Sequence, residues 1–158
     1  MVINFAVESL AQVLEESKPL LRAHWEEIAD YKDKIPFAPD YKRYEKIEAS
    51  GGLLICTARH DKRLVGYSVY FVHRGLHYSK NITATNDIFY VHPDYRIKPT
   101  EKRTLVAVAL LDFAEEKLKG RGVSVVSMHI KVWRDWSNLA NHQGYKRVEY
   151  IHQKYIGT

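Results

Sequence analysis

The chain has 158 residues, 46% of them apolar and 27% charged, with a formal charge of +5 at neutral pH. That size and mixture suit one domain with a core large enough to stand without staples, and they exclude a disordered or collagenous chain. The single cysteine, Cys56, excludes an intrachain disulfide, and its place in the apolar run LLICTA reads as a buried thiol in a reducing compartment. No apolar run approaches the ~20 residues of a membrane helix. The N-terminal MVINFAVESLAQ lacks the basic region and small-residue cleavage site of a signal peptide, so a cytoplasmic protein is expected.

In chain order, VINFAV reads as a first strand, and Ser9 with Gln12 makes a capping box for the helix that follows. Leu10, Val13, Leu14, Leu21, Trp25 and Ile28 recur at helical spacing. Pro19 interrupts them, so two helices are expected, with Ser17 capping the second. KDKIPFAPD is a loop, and YKRYEKIEA is a short helix ended by Ser50-Gly51-Gly52. LLICTAR and LVGYSVYFVH, rich in β-branched and aromatic residues, form an antiparallel hairpin across HDKR, and ITATNDIFYV is a further strand.

The second half opens with a helix over 105–118 whose apolar residues cover most of its surface, so it should pack hard against the sheet before Gly120 and Gly122 end it. VSVVSMHIKV reads as a central strand buried on both faces. DWSNLANHQ gives a short helix closed by Gly144, and YKRVEYIHQKYI alternates as a last strand. The order is strand, helices, three strands, helix, strand, short helix, strand. It implies a mixed α/β (α+β) fold: a mostly antiparallel sheet with one central strand-helix-strand crossover. A ligand can enter where such parallel strands part. The free amides and dipole of the crossover helix, with Arg96, Lys98, Lys102 and Arg103 around them, suit phosphate oxygens.

The order of elements, the strand-to-turn FYVHPDYR and the late NLANHQGYKRVEYIHQKYI together resemble the GNAT acetyltransferases, including small bacteriophage-encoded members. Val91, Pro93, Tyr95 and Arg96 match the family's apolar-x-V-x-P-x-x-R strand. Gly144-Tyr145, followed by Glu149, Tyr150, Lys154 and Tyr155, matches its closing segment. The resemblance covers the chain as a single domain, 1–158, and implies helices on both sheet faces. It also implies acetyl-CoA as co-substrate, with pyrophosphate against the loop from Arg96 through Lys98, Lys102 and Arg103 to Thr104. The pantetheine would then run along Phe89, Tyr90 and Val91.

Two departures from the family accompany these matches. The glycine-bearing loop Q/R-x-x-G-x-G/A is replaced by KRTLVA, with Leu105 in place of the first glycine and IKPT inserted before it. Ala140 stands where many members carry a tyrosine that protonates the leaving thiolate, Trp133 stands at the usual asparagine, and Tyr145 is a candidate replacement acid. Members of the family frequently use as base a carboxylate on the strand before the loop, the alternative for such a residue being a strand-end aspartate bonded to backbone. Asp87 is the acid within that strand, four residues before Val91 and so expected on the same face.

His92 beside Pro93 can exchange protons near neutral pH, though a turn histidine is more often idle. His73 and His77 have ligand-like spacing, but Gly75 between them marks a turn and no carboxylate or cysteine completes a metal set. Trp133 and Trp136 lie near basic residues and can stack on a base or simply pack. No nucleic-acid motif is visible. The expected function is N-acetyl transfer to an amine of a small molecule or protein, with a homodimer possible. The alternative is a degenerate binding protein that acts through a protein or nucleic-acid partner.

Overall fold

The computed structural model describes residues 1–157. Five strands form one sheet in the order β1 (Asn4–Val7), β2 (Leu53–His60), β3 (Arg63–Arg74), β4 (Ile82–Val91) and β5 (Val123–Ser127). The first four pair antiparallel, and β5 lies parallel to β4 after the crossover helix α3 (Val106–Gly120). Helices α1 (Leu10–Ile28) and α2 (Tyr41–Ala49) precede β2, and α4 (Ser137–His142) follows β5.

Alternation along the strands sends side chains to two cores. On one face Leu54, Cys56, Val65, Tyr70 and Ala84 meet Val106, Leu110, Ala114 and Leu118 of α3. On the other Leu53, Ile55, Tyr67, Val69 and Tyr90 meet Leu10 and Val13 of α1, with Tyr44 and Ile47 of α2 packed against them. Leu110 and Leu118 are fully buried, and each such side chain contributes about 1.5–3 kcal/mol by leaving water. Helices therefore cover both faces, and Cys56 is buried with its thiol pushed up to about 12 by desolvation.

Three expectations need correction. Helix α1 is one element that runs through Pro19, not two. Ser17 does not cap a second helix: its Oγ donates to the Leu14 carbonyl at 2.9 Å. An interior proline disfavours a helix by about 3 kcal/mol, and here the buried stripe of Leu10, Val13 and Ser17 against the sheet offsets it. The strand expected over 123–132 ends at Ser127 and is an edge, with Ser124, Val125 and Ser127 exposed. Its β-branched run reflects pairing to β4 on one side, not burial on two. The closing strand expected at 145–156 is absent among the described residues: that segment has alternation but no ladder partner, and Val148, Tyr150 and Ile156 face solvent. Among the described residues no helix is long and apolar enough to cross a membrane.

Candidate active site in the cleft between diverging strands

Strand β4 pairs with β5 only over Ile82–Thr85. Beyond Thr85 the two chains part and open a cleft of about 420 Å³. Asn86, Asp87, Phe89 and Tyr90 of β4 line one side, His24 and Glu27 of α1 close another, and Ala107 brings the first turn of α3 to its edge. His129, Lys131, Arg134 and Trp136 line the wall opposite β4. Phe89, Tyr90 and Val91 pair with β3 on one side and not with β5 on the other, which leaves that backbone edge toward the cleft.

The register of β3 and β4 breaks at Asp87. Val69 pairs with Ile88 and Tyr70 with Asn86, so Asp87 is the unpaired extra residue of a β-bulge. Asn86, itself buried, holds the bulge, its Nδ2 reaching the Val69 carbonyl at 3.1 Å, the Ile88 carbonyl at 3.0 Å and Ser68 Oγ at 3.1 Å. The bulge also changes the phase of the strand: Ala84 faces the α3 core before it, and Phe89 and Val91 do so after it. Asp87 is therefore not on the face of Val91, as a spacing of four predicts for a regular strand. Its Oδ2 accepts a hydrogen bond from the Tyr44 hydroxyl of α2, on the opposite side of the sheet. The side chain is open to the cleft mouth while protein atoms crowd it elsewhere. That partial desolvation raises its carboxyl above the ordinary value, against smaller lowering effects of Tyr44 and His129.

Charged side chains lace the cleft walls together. Arg96 Nη2 donates to both carboxylate oxygens of Glu27, at 2.7 and 2.9 Å, and its Nε donates to the Val91 carbonyl at 2.9 Å. The guanidinium also lies 5.7 Å from the Tyr90 ring centre. Arg96, expected among the phosphate-facing cations, is thus tied to α1 and β4. Arg134 approaches the same Glu27 at 3.5 Å, and Lys131 pairs with Asp30 at 2.6 Å. The segment after β5 is in this way strapped to the end of α1, and Trp136 packs on Phe89 with ring centres 5.0 Å apart. His24 packs on Tyr90 at 5.2 Å, and burial holds its imidazole down at about 4, so it is neutral at pH 7.

At the edge of the cleft α3 begins without a side-chain cap. The Ala109 amide donates to the Leu105 carbonyl at 3.0 Å, and among the described residues the amides of Val106, Ala107 and Val108 have no backbone acceptor. The inserted loop folds back on itself through a bridge of Pro99 with Leu105 and a bond from Thr100 N to the Thr104 carbonyl at 2.7 Å. Lys98, Lys102 and Arg103 are exposed around it and make no ion pair among the described residues; Lys98 lies 5.3 Å from the Tyr95 ring centre. These cations and Thr104 sit beside the cleft rather than lining it.

Tyr145, a candidate acid by sequence, has its hydroxyl buried without a hydrogen-bond partner among the described residues, and it does not line the cleft. Burial and nearby Glu115 push its phenol up. His92 accepts from Asp94 N at 3.3 Å within its own turn. Among the described residues no group of three His, Cys, Asp or Glu is placed to hold a metal ion. Sequence reasoning missed Tyr44, Asn86, His24 and Glu27. Only Asn86 left a trace, as an amide beside an acid inside a β-branched strand.

No family model matches the chain, and no curated protein matches its sequence. Solved structures do match its fold. An aminoglycoside acetyltransferase from an uncultured soil metagenomic sample superposes with a TM-score of 0.73 at 17% identity, covering 100% of both chains. A ribosomal-protein-alanine N-acetyltransferase from Brucella melitensis biovar Abortus gives 0.68 at 19% identity, covering 99% of this chain and 100% of that one. A predicted acetyltransferase with acetyl-CoA from Clostridium acetobutylicum gives 0.70 at 11% identity, covering 97% of this chain and 96% of that one. Across these shared lengths, with the split β4–β5 pair and the crossover helix at its mouth, the chain has the fold of the GNAT acetyltransferases.

Proposed function

We propose that the protein is an acyl-CoA-dependent N-acetyltransferase, with residues 1–158 as one acyltransferase domain. The observation that carries this is the bulge at Asp87, which sets a partly desolvated carboxylate at the mouth of a cleft whose edge holds the uncapped start of α3. Acetyl-CoA would supply the activated acetyl thioester. The chain offers what such a ligand needs: three unpartnered amides at 106–108 with Lys98, Lys102, Arg103 and Thr104 beside them for a diphosphate, and the unpaired edge of Phe89, Tyr90 and Val91 for an amide-bearing arm. The Val91 carbonyl is already taken by Arg96 Nε, which leaves Phe89 and Tyr90 as the freer part of that edge.

Asp87 would act as the general base. A carboxylate with a raised pKa is a better proton acceptor for an ammonium acceptor group, directly or through one water. His129 lines the same cleft and acts electrostatically on the carboxylate. With Ala140 buried at the position of the common acid, the departing thiolate would take its proton from solvent. The acceptor is an amine of a small molecule or a protein. The neighbouring structures named for aminoglycoside and ribosomal-protein acetylation are compatible with either.

The test is thermal unfolding with saturating acetyl-CoA, free CoA or ATP. A ligand at ~100 times its dissociation constant adds about 2.7 kcal/mol, which raises the midpoint by about 5–10 °C for a chain of this size. Stabilisation by both coenzyme forms and not by ATP is the expected result. Equal midpoints in all samples at millimolar ligand would end the proposal.

A further inference from the structure

The bulge leaves Asp87 outside the strand ladder, so something other than β4 must fix the direction of its carboxylate. Among the described residues only Tyr44 does so. Asp40 caps α2 through a bond from Arg43 N at 3.0 Å, which sets the first turn of the helix. One turn in, the Tyr44 ring stacks on Phe71 of β3, with centres 5.8 Å apart and planes 27° apart. That stacking aims the hydroxyl at Asp87 Oδ2, while no protein donor among the described residues reaches Oδ1. The titratable groups facing the carboxylate are Tyr44 from α2 and His129 from the segment after β5.

We propose that Tyr44 is a positioning residue for Asp87: its hydroxyl holds Oδ2 so that Oδ1 alone is presented to the acceptor amine. This rests on the acetyltransferase reading for the identity of the amine, but not for the contact itself. Burial and Asp87 together keep the Tyr44 phenol protonated well above its ordinary range, so it remains a donor at every working pH. Asn86 therefore sets the backbone and Tyr44 the side chain. No sequence motif joins the two, since Tyr44 and Asp87 lie 43 positions apart.

Tyr44→Phe keeps the ring and its stacking on Phe71 and removes only the donor. A hydrogen bond to a charged carboxylate corresponds to about one unit of pKa. The carboxyl-carbon NMR titration of Asp87 should therefore move up by about one pH unit in Tyr44→Phe. The acid limb of kcat should move up by the same amount, with KM for acetyl-CoA unchanged. Tyr41→Phe, one turn earlier on the same helix, should move neither. An unmoved Asp87 titration overturns the inference, as does a moved titration with an unmoved acid limb in an enzyme that turns over. Because the NMR titration needs no turnover, failure of the acetyltransferase reading is seen separately, as absence of coenzyme binding.

Discussion

At Asp87 stability and the proposed role as general base pull in opposite directions. Its folded carboxyl is raised above the value of 3.8 it has when unperturbed. For a raised acid the unfolded state loses its proton first, so the cost of burying the charge begins as pH rises past 3.8 and is complete once pH exceeds the folded value. Asp87→Asn removes that charge. Above pH 7 its unfolding midpoint should equal or exceed that of the parent, while kcat falls by about 10²–10⁴, the usual contribution of a general base. Calorimetry and a steady-state assay with a responsive amine read the two effects separately. A midpoint well below the parent's would instead mark Asp87 as a structural residue. The Asp87 carboxylate was legible in the sequence as the acid within its strand. Its face was not, because a bulge is decided by how Asn86 bonds across to β3 rather than by spacing along β4.

At the scale of elements the informative case is α1. A proline in a helix interior lacks the amide for its own hydrogen bond, and its ring crowds the carbonyl four residues back. Local rules therefore place a break at Pro19, yet the helix continues to Ile28 because its buried stripe is held by the sheet. Pro19→Ala should then stabilise the protein by about 1–2 kcal/mol, less than the full helix propensity difference because proline also restricts the unfolded chain. That is a rise of about 3–6 °C in the unfolding midpoint. An unchanged or lowered midpoint would mean that the ring itself fills a necessary place against the neighbouring helix. The β5 and C-terminal expectations failed for the converse reason. Alternation marks what a segment can do in a sheet, whereas a strand exists only where another strand offers its edge.

Across the molecule, the formal charge of +5 meets the cleft unevenly. Arg96 and Arg134 are paired with Glu27 of α1 and Lys131 with Asp30 just beyond it, while Lys98, Lys102 and Arg103 make no ion pair among the described residues around the start of α3. An anionic coenzyme should therefore feel the loop and not the strap. Exposed charges are screened within about 8 Å at physiological ionic strength, so stabilisation by acetyl-CoA should shrink between low salt and 0.5 M salt, where screening is about twice as strong. The triple variant Lys98→Ala, Lys102→Ala, Arg103→Ala should bind about tenfold or more weakly and lose most of this salt dependence, as titration calorimetry would show. Equal affinity in the triple variant would place the anion on the amides of α3 alone.

The sequence by itself determined the order of elements from β2 to α4, the hairpin of β2 and β3, the bounds of α2 and β4, the crossover helix and the cations at its start. Those follow from periodicities, caps and charge that are local in the chain. Only the tertiary structure decided that β5 is an edge, that α1 survives Pro19, that Arg96 belongs to Glu27, and that Asp87 turns toward Tyr44. Each of those depends on partners tens of residues away, whose approach is set by how the two cores pack on the sheet.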